Sequence, residues 1–135
     1  MNRTFPASAS ALTAVRAFIR ERADDLSFVP EVTEDLVLAV SEACTNAVLH
    51  SRSSQIEVTW RPLEDGAEVR VRDAGIFQRP PLNSDWIPAS GFGIPIMKSL
   101  VNEMSIERGT ERKPGTLVRL VMRKRPRRRS ADALA

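Results

Sequence analysis

Two polar side chains, Glu42 and Asn46, lie four residues apart in a segment whose apolar residues recur at helical spacing. Residues four apart share one face of an α-helix, so the carboxylate and the carboxamide would lie side by side. A carboxylate can act as a general base, and a carboxamide oxygen is a hard ligand suited to Mg²⁺, which is a useful pair for phosphoryl transfer. On this pattern alone, a solvated helix face is the commoner explanation. The choice between the two depends on the motifs downstream.

Three glycine-containing motifs follow in the chain, at Asp73-x-Gly75, at Gly91-x-Gly93 and at Gly115-Thr116. A buried carboxylate after a strand can accept the exocyclic amino group of adenine, and a glycine two residues later lets the backbone approach the base. Glycines ahead of a helix let backbone N–H groups face phosphates. Taken singly, each motif is more often an ordinary turn. Their order along the chain is therefore more informative than any one of them.

Periodicity and turn residues predict three helices and five strands that would position these motifs. In chain order they are an edge strand over 2–6, a helix capped by Ser8 or Ser10 and running to about Leu26, a helix from Pro30 to His50, a hairpin of strands over 56–61 and 67–72, a helix from Gly91-x-Gly93 through Met104, and strands over 104–108 and 116–122. Residues 76–90 contain three prolines and no periodicity. So long a loop in a small domain suggests a lid.

Composition favours a globular domain and argues against a DNA-binding body. The 135 residues are 42% apolar and 27% charged, without a run of 18 apolar residues that could span a membrane and without the pattern of a secretory signal. The single cysteine, Cys44, cannot form an internal disulfide, so we expect a cytoplasmic location. Residues 123–135 carry six basic side chains and one acidic one, which leaves the rest with 14 basic and 16 acidic residues. We expect this basic tail to be disordered.

In their order and spacing the four motifs resemble the N, G1, G2 and G3 boxes of the GHKL ATPases. The stretch from Glu42 to His50, with Asn46 inside it, and residues 93–101 are similar to the anti-sigma-factor serine kinases of bacterial stress and sporulation control. The resemblance covers residues 5–122. It implies an α/β two-layer sandwich over residues 1–122, with a mixed, mostly antiparallel sheet and three main helices on one face.

The same resemblance implies a role for each motif residue. In that family a glutamate on the first motif helix is the general base toward a serine of a STAS-type anti-anti-sigma partner, and the cofactors are ATP and Mg²⁺. The implied roles are Glu42 as base, Asn46 as Mg²⁺ ligand, Asp73 and Gly75 at adenine, Gly91 and Gly93 at the phosphates, and Thr116 beside adenine. The protein would sequester a sigma factor and form a homodimer through its first helix and the adjoining sheet edge. Arg16 and Arg20 on that helix are candidate interface residues, although a solvated face is the commoner explanation for such residues.

A second hypothesis comes from two departures from the family pattern, of which one is Pro88-Ala89-Ser90 before Gly91, where many relatives have charged residues. Where the family usually has Asp-x-Gly-x-Gly, this chain has Phe77 in place of the second glycine. The chain could therefore be a catalytically weak or inactive binding module of the same fold, which regulates by sequestering a partner. A DNA-binding regulator working through the basic tail is a third hypothesis, and the least supported, because a disordered basic run attracts nucleic acid without reading sequence.

Overall fold

Five strands and three α-helices make up the part of the chain that the computed structural model describes, which is residues 1–50, 55–73, 93–108 and 115–125. In chain order they are β1 (Asn2–Pro6), α1 (Leu12–Asp25), α2 (Pro30–His50), β2 (Gln55–Leu63), β3 (Gly66–Asp73), α3 (Gly93–Leu100), β4 (Glu103–Arg108) and β5 (Thr116–Arg123), with a single 3₁₀ turn over Ala9–Ala11 ahead of α1. Each element predicted from the sequence therefore has its counterpart.

The strands form one sheet in the order β1-β2-β3-β5-β4, and every pairing among them is antiparallel. Alternate strand residues such as Val58, Val69 and Leu120 are buried in a core that they share with apolar side chains of α1 and α2. The helices pack on this face, α2 over β3 and β5, α1 against β2 and α3 against β4. The predicted fold class, a two-layer α/β sandwich with helices on one side, is confirmed.

The first turn of α1 differs from the prediction, and the C-terminus of the helix forms a standard capping motif. Neither serine caps the helix: the hydroxyls of Ser8 and Ser10 lie 3.0 Å apart and bond to each other, and the 3₁₀ turn intervenes before α1. At the other end Phe28 N–H donates to the carbonyl of Ala23 at 3.0 Å, and Ser27 adopts a left-handed φ of 60°. This is a Schellman motif, which satisfies the last carbonyls of the helix.

The start of α2 is tied to the far end of the sheet. Pro30 is its first residue, where a missing N–H costs nothing. Just before it, Val29 N–H donates to the carbonyl of Lys124 at 2.9 Å, and Lys124 N–H donates to the carbonyl of Asp65 at 2.8 Å. The predicted end of the domain at residue 122 stays a prediction, but β5 itself continues through Arg123.

The prediction that α3 runs through Met104 is wrong. The helix ends at Leu100, and Met104 lies in β4, paired with Leu120. Asn102 explains the early stop, because its N–H donates to the carbonyl of Val121 at 3.0 Å and its Oδ1 accepts from the N–H of Arg123 at 2.8 Å. These bonds to β5 replace the helical ones at this point. None of the described helices is both long and apolar enough to cross a membrane.

Candidate active site

The second half of α2 presents the first two candidate residues. Glu42 and Asn46 are both half-buried, while Ala43, Cys44 and Ala47 between and beside them are fully buried. One turn of helix separates the two polar side chains, about 6 Å along the axis. The predicted pair on one helix face is therefore present, with its backbone anchored in the core.

Ser41, next to Glu42, is a buried polar residue that the sequence analysis did not single out. Its hydroxyl donates to the carbonyl of Val37 at 2.8 Å, and the Nε of Arg16 donates to the same hydroxyl at 3.0 Å. Ser41 retains only 4% of its exposure. The bond from Arg16 joins α1 to α2 at the residue before the candidate base. The sequence could have indicated Ser41, because it is a polar residue among the regularly spaced apolar residues of the buried face of α2.

Cys44 lies on the same buried face of α2 as Ser41, and its thiol is unreactive. It is completely buried, and burial raises the pKa of its thiol to about 12, against a smaller opposite effect from the charge of Arg16. A thiol that stays protonated at neutral pH is a poor nucleophile. Cys44 is therefore a packing residue, as its position in the sequence suggested.

The end of β3 and the start of β5 supply a second polar pair. Asp73 is the last residue of β3, is buried to 3% exposure, and stands directly opposite Thr116 in the antiparallel pairing. Directly opposed residues have side chains about 5 Å apart. Among the described side chains, the Oγ1 of Thr116 is one of two buried polar atoms without a hydrogen-bond partner. A buried carboxylate thus lies beside a buried hydroxyl that has bonding capacity left.

The two halves of the site lie toward the same end of the domain. α2 begins beside the carboxyl end of β5, where Val29 bonds Lys124, and it then packs over β5 and β3. Asp73 and Thr116 occupy the opposite end of these strands. The half of α2 that carries both motif side chains therefore extends away from Lys124, toward this polar pair.

The glycine motifs are covered only in part. Gly93 is the first residue of α3, so the predicted helix start is present. That this start faces phosphates stays a prediction. Gly75 and Gly91 lie outside the described residues, as do Phe77 and the predicted lid over 76–90. Their predicted roles stay predictions.

The two candidate interface arginines both connect α1 to α2. Arg20 donates from Nε and Nη2 to the two carboxylate oxygens of Glu34 at 3.0 and 2.9 Å, and Arg16 bonds Ser41. The hydrogen bonds from Arg20 lower the pKa of Glu34. About half of the Arg20 side chain remains exposed. A partner that binds Arg20 would have to share it with Glu34.

The residues present fit an adenine nucleotide. Thr116 Oγ1 is a buried group that lacks a partner, and Asp73 beside it is an acceptor suited to an exocyclic amino group. Within the described ranges, no cluster of three His, Cys, Asp or Glu side chains could hold a metal ion. Mg²⁺ commonly takes only one or two protein oxygens and completes its shell with water and phosphate. The role of Asn46 as such a ligand stays a prediction.

Comparison with known proteins identifies the family. Residues 5–122 match the histidine kinase-like ATPase domain family. The chain belongs to this family. Over 118 residues it is 30% identical to the serine-protein kinase RsbW of Bacillus velezensis, covering 76% of this chain and 74% of that protein. The RsbW kinase of Bacillus subtilis is 28% identical over 118 residues, with the same coverage.

Solved structures of the family share the fold. The RsbU and RsbW domains of Rv1364c from Mycobacterium tuberculosis match with a TM-score of 0.68 and 22% identity, over 91% of this chain and 32% of that chain. This chain therefore spans about a third of that longer protein. The histidine kinase domain of a blue-light-activated kinase from Erythrobacter litoralis matches with a TM-score of 0.54 and 22% identity, over 87% of this chain and 65% of that chain. The resemblance predicted from the sequence is confirmed.

Proposed function

We propose that this chain is an ATP-dependent protein serine kinase that acts as an anti-sigma factor. It would phosphorylate a serine of a STAS-type anti-anti-sigma partner and sequester a sigma factor when that partner is absent or already phosphorylated. The observation that carries the nucleotide site is the buried pair at the strand ends, where the unpartnered Oγ1 of Thr116 lies opposite Asp73. The similarity to RsbW serine-protein kinases supports the kinase class.

Each side chain of the site has one task in this proposal. Asp73 and Thr116 bind the adenine base, with Gly75 beside them, and the backbone at Gly91 and Gly93 faces the phosphates. Asn46 offers its amide oxygen to Mg²⁺, which would neutralise phosphate charge. Glu42 accepts the proton of the acceptor serine hydroxyl as the phosphoryl group passes from ATP to that oxygen and ADP leaves. The buried residues beside it anchor the backbone of α2 in the core.

Nucleotide binding is tested first, by calorimetry with ATP and Mg²⁺ on the wild type and on Asp73→Asn. We expect the affinity of the variant for ATP to fall at least tenfold. The substitution replaces one carboxylate oxygen, a hydrogen-bond acceptor, with an amide NH₂ donor, and this donor would face the donor amino group of adenine. Asp65→Asn is the matched control, since Asp65 is exposed at the other end of the same hairpin. Equal affinity of Asp73→Asn and wild type would refute the adenine role of Asp73.

Phosphoryl transfer is tested separately, with radiolabelled ATP and purified STAS-type proteins from the same genome, each beside its serine-to-alanine version. We expect Glu42→Gln to bind ATP normally and to lose transfer by a factor of about 10² to 10⁴, the usual contribution of a general base. Glu57→Gln, on the opposite face of the sheet, is the control. Full transfer by Glu42→Gln would exclude the role of Glu42.

The second candidate, a binding module without catalysis, is motivated by Phe77 in the first glycine box. It predicts no heat of ATP binding at millimolar nucleotide together with retained sigma-factor capture.

Self-association is proposed through α1 and β1, because β1 is an edge strand of the sheet. Arg20→Ala should then weaken a homodimer or a partner complex, measured by sedimentation, without changing ATP affinity.

A further inference from the structure

A buried hydroxyl interrupts the apolar face of α2 one residue before Glu42. Ser41 is 4% exposed, and its neighbours on this face, Val37, Val40 and Cys44, are also buried. A serine hydroxyl has one donor site and two acceptor sites, and its burial costs free energy unless these sites are bonded. Packing alone would therefore favour an apolar residue at position 41.

Two hydrogen bonds fix the direction of this hydroxyl. Within α2, Ser41 Oγ donates to the carbonyl of Val37 at 2.8 Å. From α1, the Nε of Arg16 donates to the same oxygen at 3.0 Å. The donor site of the serine is used inside its own helix, so the bond from Arg16 is the one that depends on where α1 lies. Ser41 is thus a polar contact point between the two helices.

Arg16 is held at this point without a carboxylate to neutralise it. Its side chain is half-buried, and none of the ion pairs among the described residues engages it. Its charge opposes the rise in pKa that burial causes at the thiol of Cys44, so its influence extends along α2 past Glu42. A neutral hydroxyl is a weaker acceptor for a guanidinium group than a carboxylate is. The contact is therefore better explained by the position it enforces than by ion-pair strength.

Another polar link between α1 and α2 is of the ordinary, solvated kind. Arg20 forms a bidentate ion pair with Glu34, and the two side chains are 49% and 58% exposed. Exposed pairs contribute little because water competes for both charges. Glu34 precedes Ser41 by seven residues, about 10 Å along the helix axis. A solvated pair thus joins the helices near the start of α2, and a buried bond joins them at the candidate site.

We propose that Ser41 and Arg16 are positioning residues, whose hydrogen bond holds the second half of α2 against α1 so that Glu42 meets the acceptor serine in a productive geometry. This role rests on the proposed function. Ser41 acts from inside the fold, because a side chain with 4% exposure cannot contact the protein partner itself. A displacement of about 1 Å in a reacting group can lower a rate by a factor of about 10², so a single bond between helices is sufficient to matter.

The single cysteine of the chain reports on this turn of α2 without any nucleotide. Cys44 is fully buried, so a chromogenic disulfide reagent reaches its thiol only when this region opens or the protein unfolds. We expect Ser41→Ala and Arg16→Met to accelerate labelling at least about fivefold, the equilibrium effect of losing one hydrogen bond. This acceleration should not depend on low concentrations of urea, because a local opening exposes little surface, whereas global unfolding is strongly urea-dependent.

Glu34→Gln is the matched control, since it weakens the solvated link between the same two helices. Its labelling rate should stay within about twofold of the wild-type rate. The double variant, Ser41→Ala with Arg16→Met, should be labelled no faster than the more affected single variant, because both substitutions remove the same bond.

Phosphoryl transfer to the acceptor serine, measured well below the Tm, separates a positioning role from a purely structural one. We expect Ser41→Ala to lower kcat about tenfold or more, while the KM for the partner and the affinity for ATP stay at their wild-type values. A residue that served stability alone would lower the Tm and leave the kcat of the folded protein unchanged. Glu34→Gln should keep the wild-type kcat.

Three results would overturn the proposal. They are a wild-type kcat in Ser41→Ala, equal effects of Ser41→Ala and Glu34→Gln, and labelling of Cys44 that neither substitution at the bond accelerates. Absence of transfer by the wild type would instead refute the proposed function, and the labelling of Cys44 would then decide by itself whether the bond holds this turn of α2.

Discussion

Glu68 on the face of the sheet opposite the helices makes a quantitative test of this structure possible. It retains 3% of its exposure and accepts hydrogen bonds from the Nε of Arg70 at 2.7 Å and the Nε of Arg119 at 2.5 Å. The two arginines stand directly opposite each other on β3 and β5. One carboxylate therefore holds together two like charges across the centre of the sheet.

The expected cost of Glu68→Gln follows from these contacts. The amide keeps one acceptor oxygen and loses one charge-assisted hydrogen bond, which costs about 1.5 to 3 kcal/mol. The opposed arginines, no longer neutralised, add up to about 1 kcal/mol. Together these give an expected loss of about 1.5 to 4 kcal/mol in the free energy of unfolding. At about 4 °C per kcal/mol for a domain of this size, the Tm should fall by about 6 to 16 °C.

Urea denaturation followed by circular dichroism measures the loss, with Glu103→Gln as the matched control. Glu103 lies 3.8 Å from the same Arg119, but its side chain is 65% exposed. Its replacement should cost less than about 0.5 kcal/mol. A loss of under about 1 kcal/mol for Glu68→Gln, or equal losses for the two variants, would refute the reasoning.

The same carboxylate should contribute a pH dependence. Burial by itself would raise the pKa of Glu68, but hydrogen bonds and charges from Arg119 and Arg70 outweigh it and lower the pKa below the ordinary value. A lowered folded pKa means that the stabilisation is complete above the unfolded value of about 4.3 and is lost as the pH falls through the folded pKa. The difference in the free energy of unfolding between wild type and Glu68→Gln should therefore become smaller below about pH 4.

Three further predictions concern single positions. Ser27→Gly should stabilise the protein by about 1 kcal/mol in urea titrations, because glycine tolerates the left-handed φ of 60° at the end of α1, whereas Ser27→Ala should bring no gain. Gly66→Ala should cost about 3 kcal/mol, since an added Cβ would lie 2.0 Å from the carbonyl oxygen of Met122; unchanged stability would contradict this pairing of β3 and β5. Cys44 should react with a thiol reagent only at the rate of unfolding, and prompt labelling of the native protein would contradict its burial.

Local sequence pattern was sufficient to predict much of the fold and the placement of half of the candidate site residues. The span of α2 follows from its apolar period and from Pro30, and the alternation in β2 and β3 predicts which side chains enter the core. Glu42 and Asn46 share a face simply because they are four residues apart on a helix. Each of these relations joins residues close in sequence, where backbone geometry alone determines the neighbour.

Contacts between residues that are far apart in sequence were determined only by the tertiary structure. Asp73 meets Thr116 because β5 pairs with β3, although the helix α3 and β4 separate these strands in sequence. The same pairing brings Arg119 to Glu68, which alternation alone assigns to the wet face. Asn102 ends α3 early because its bonds to β5 exist only in the folded sheet. Sequence alone determined the residues of the helical half of the site; the pairing of β3 with β5 decided which hydroxyl and which carboxylate are buried side by side.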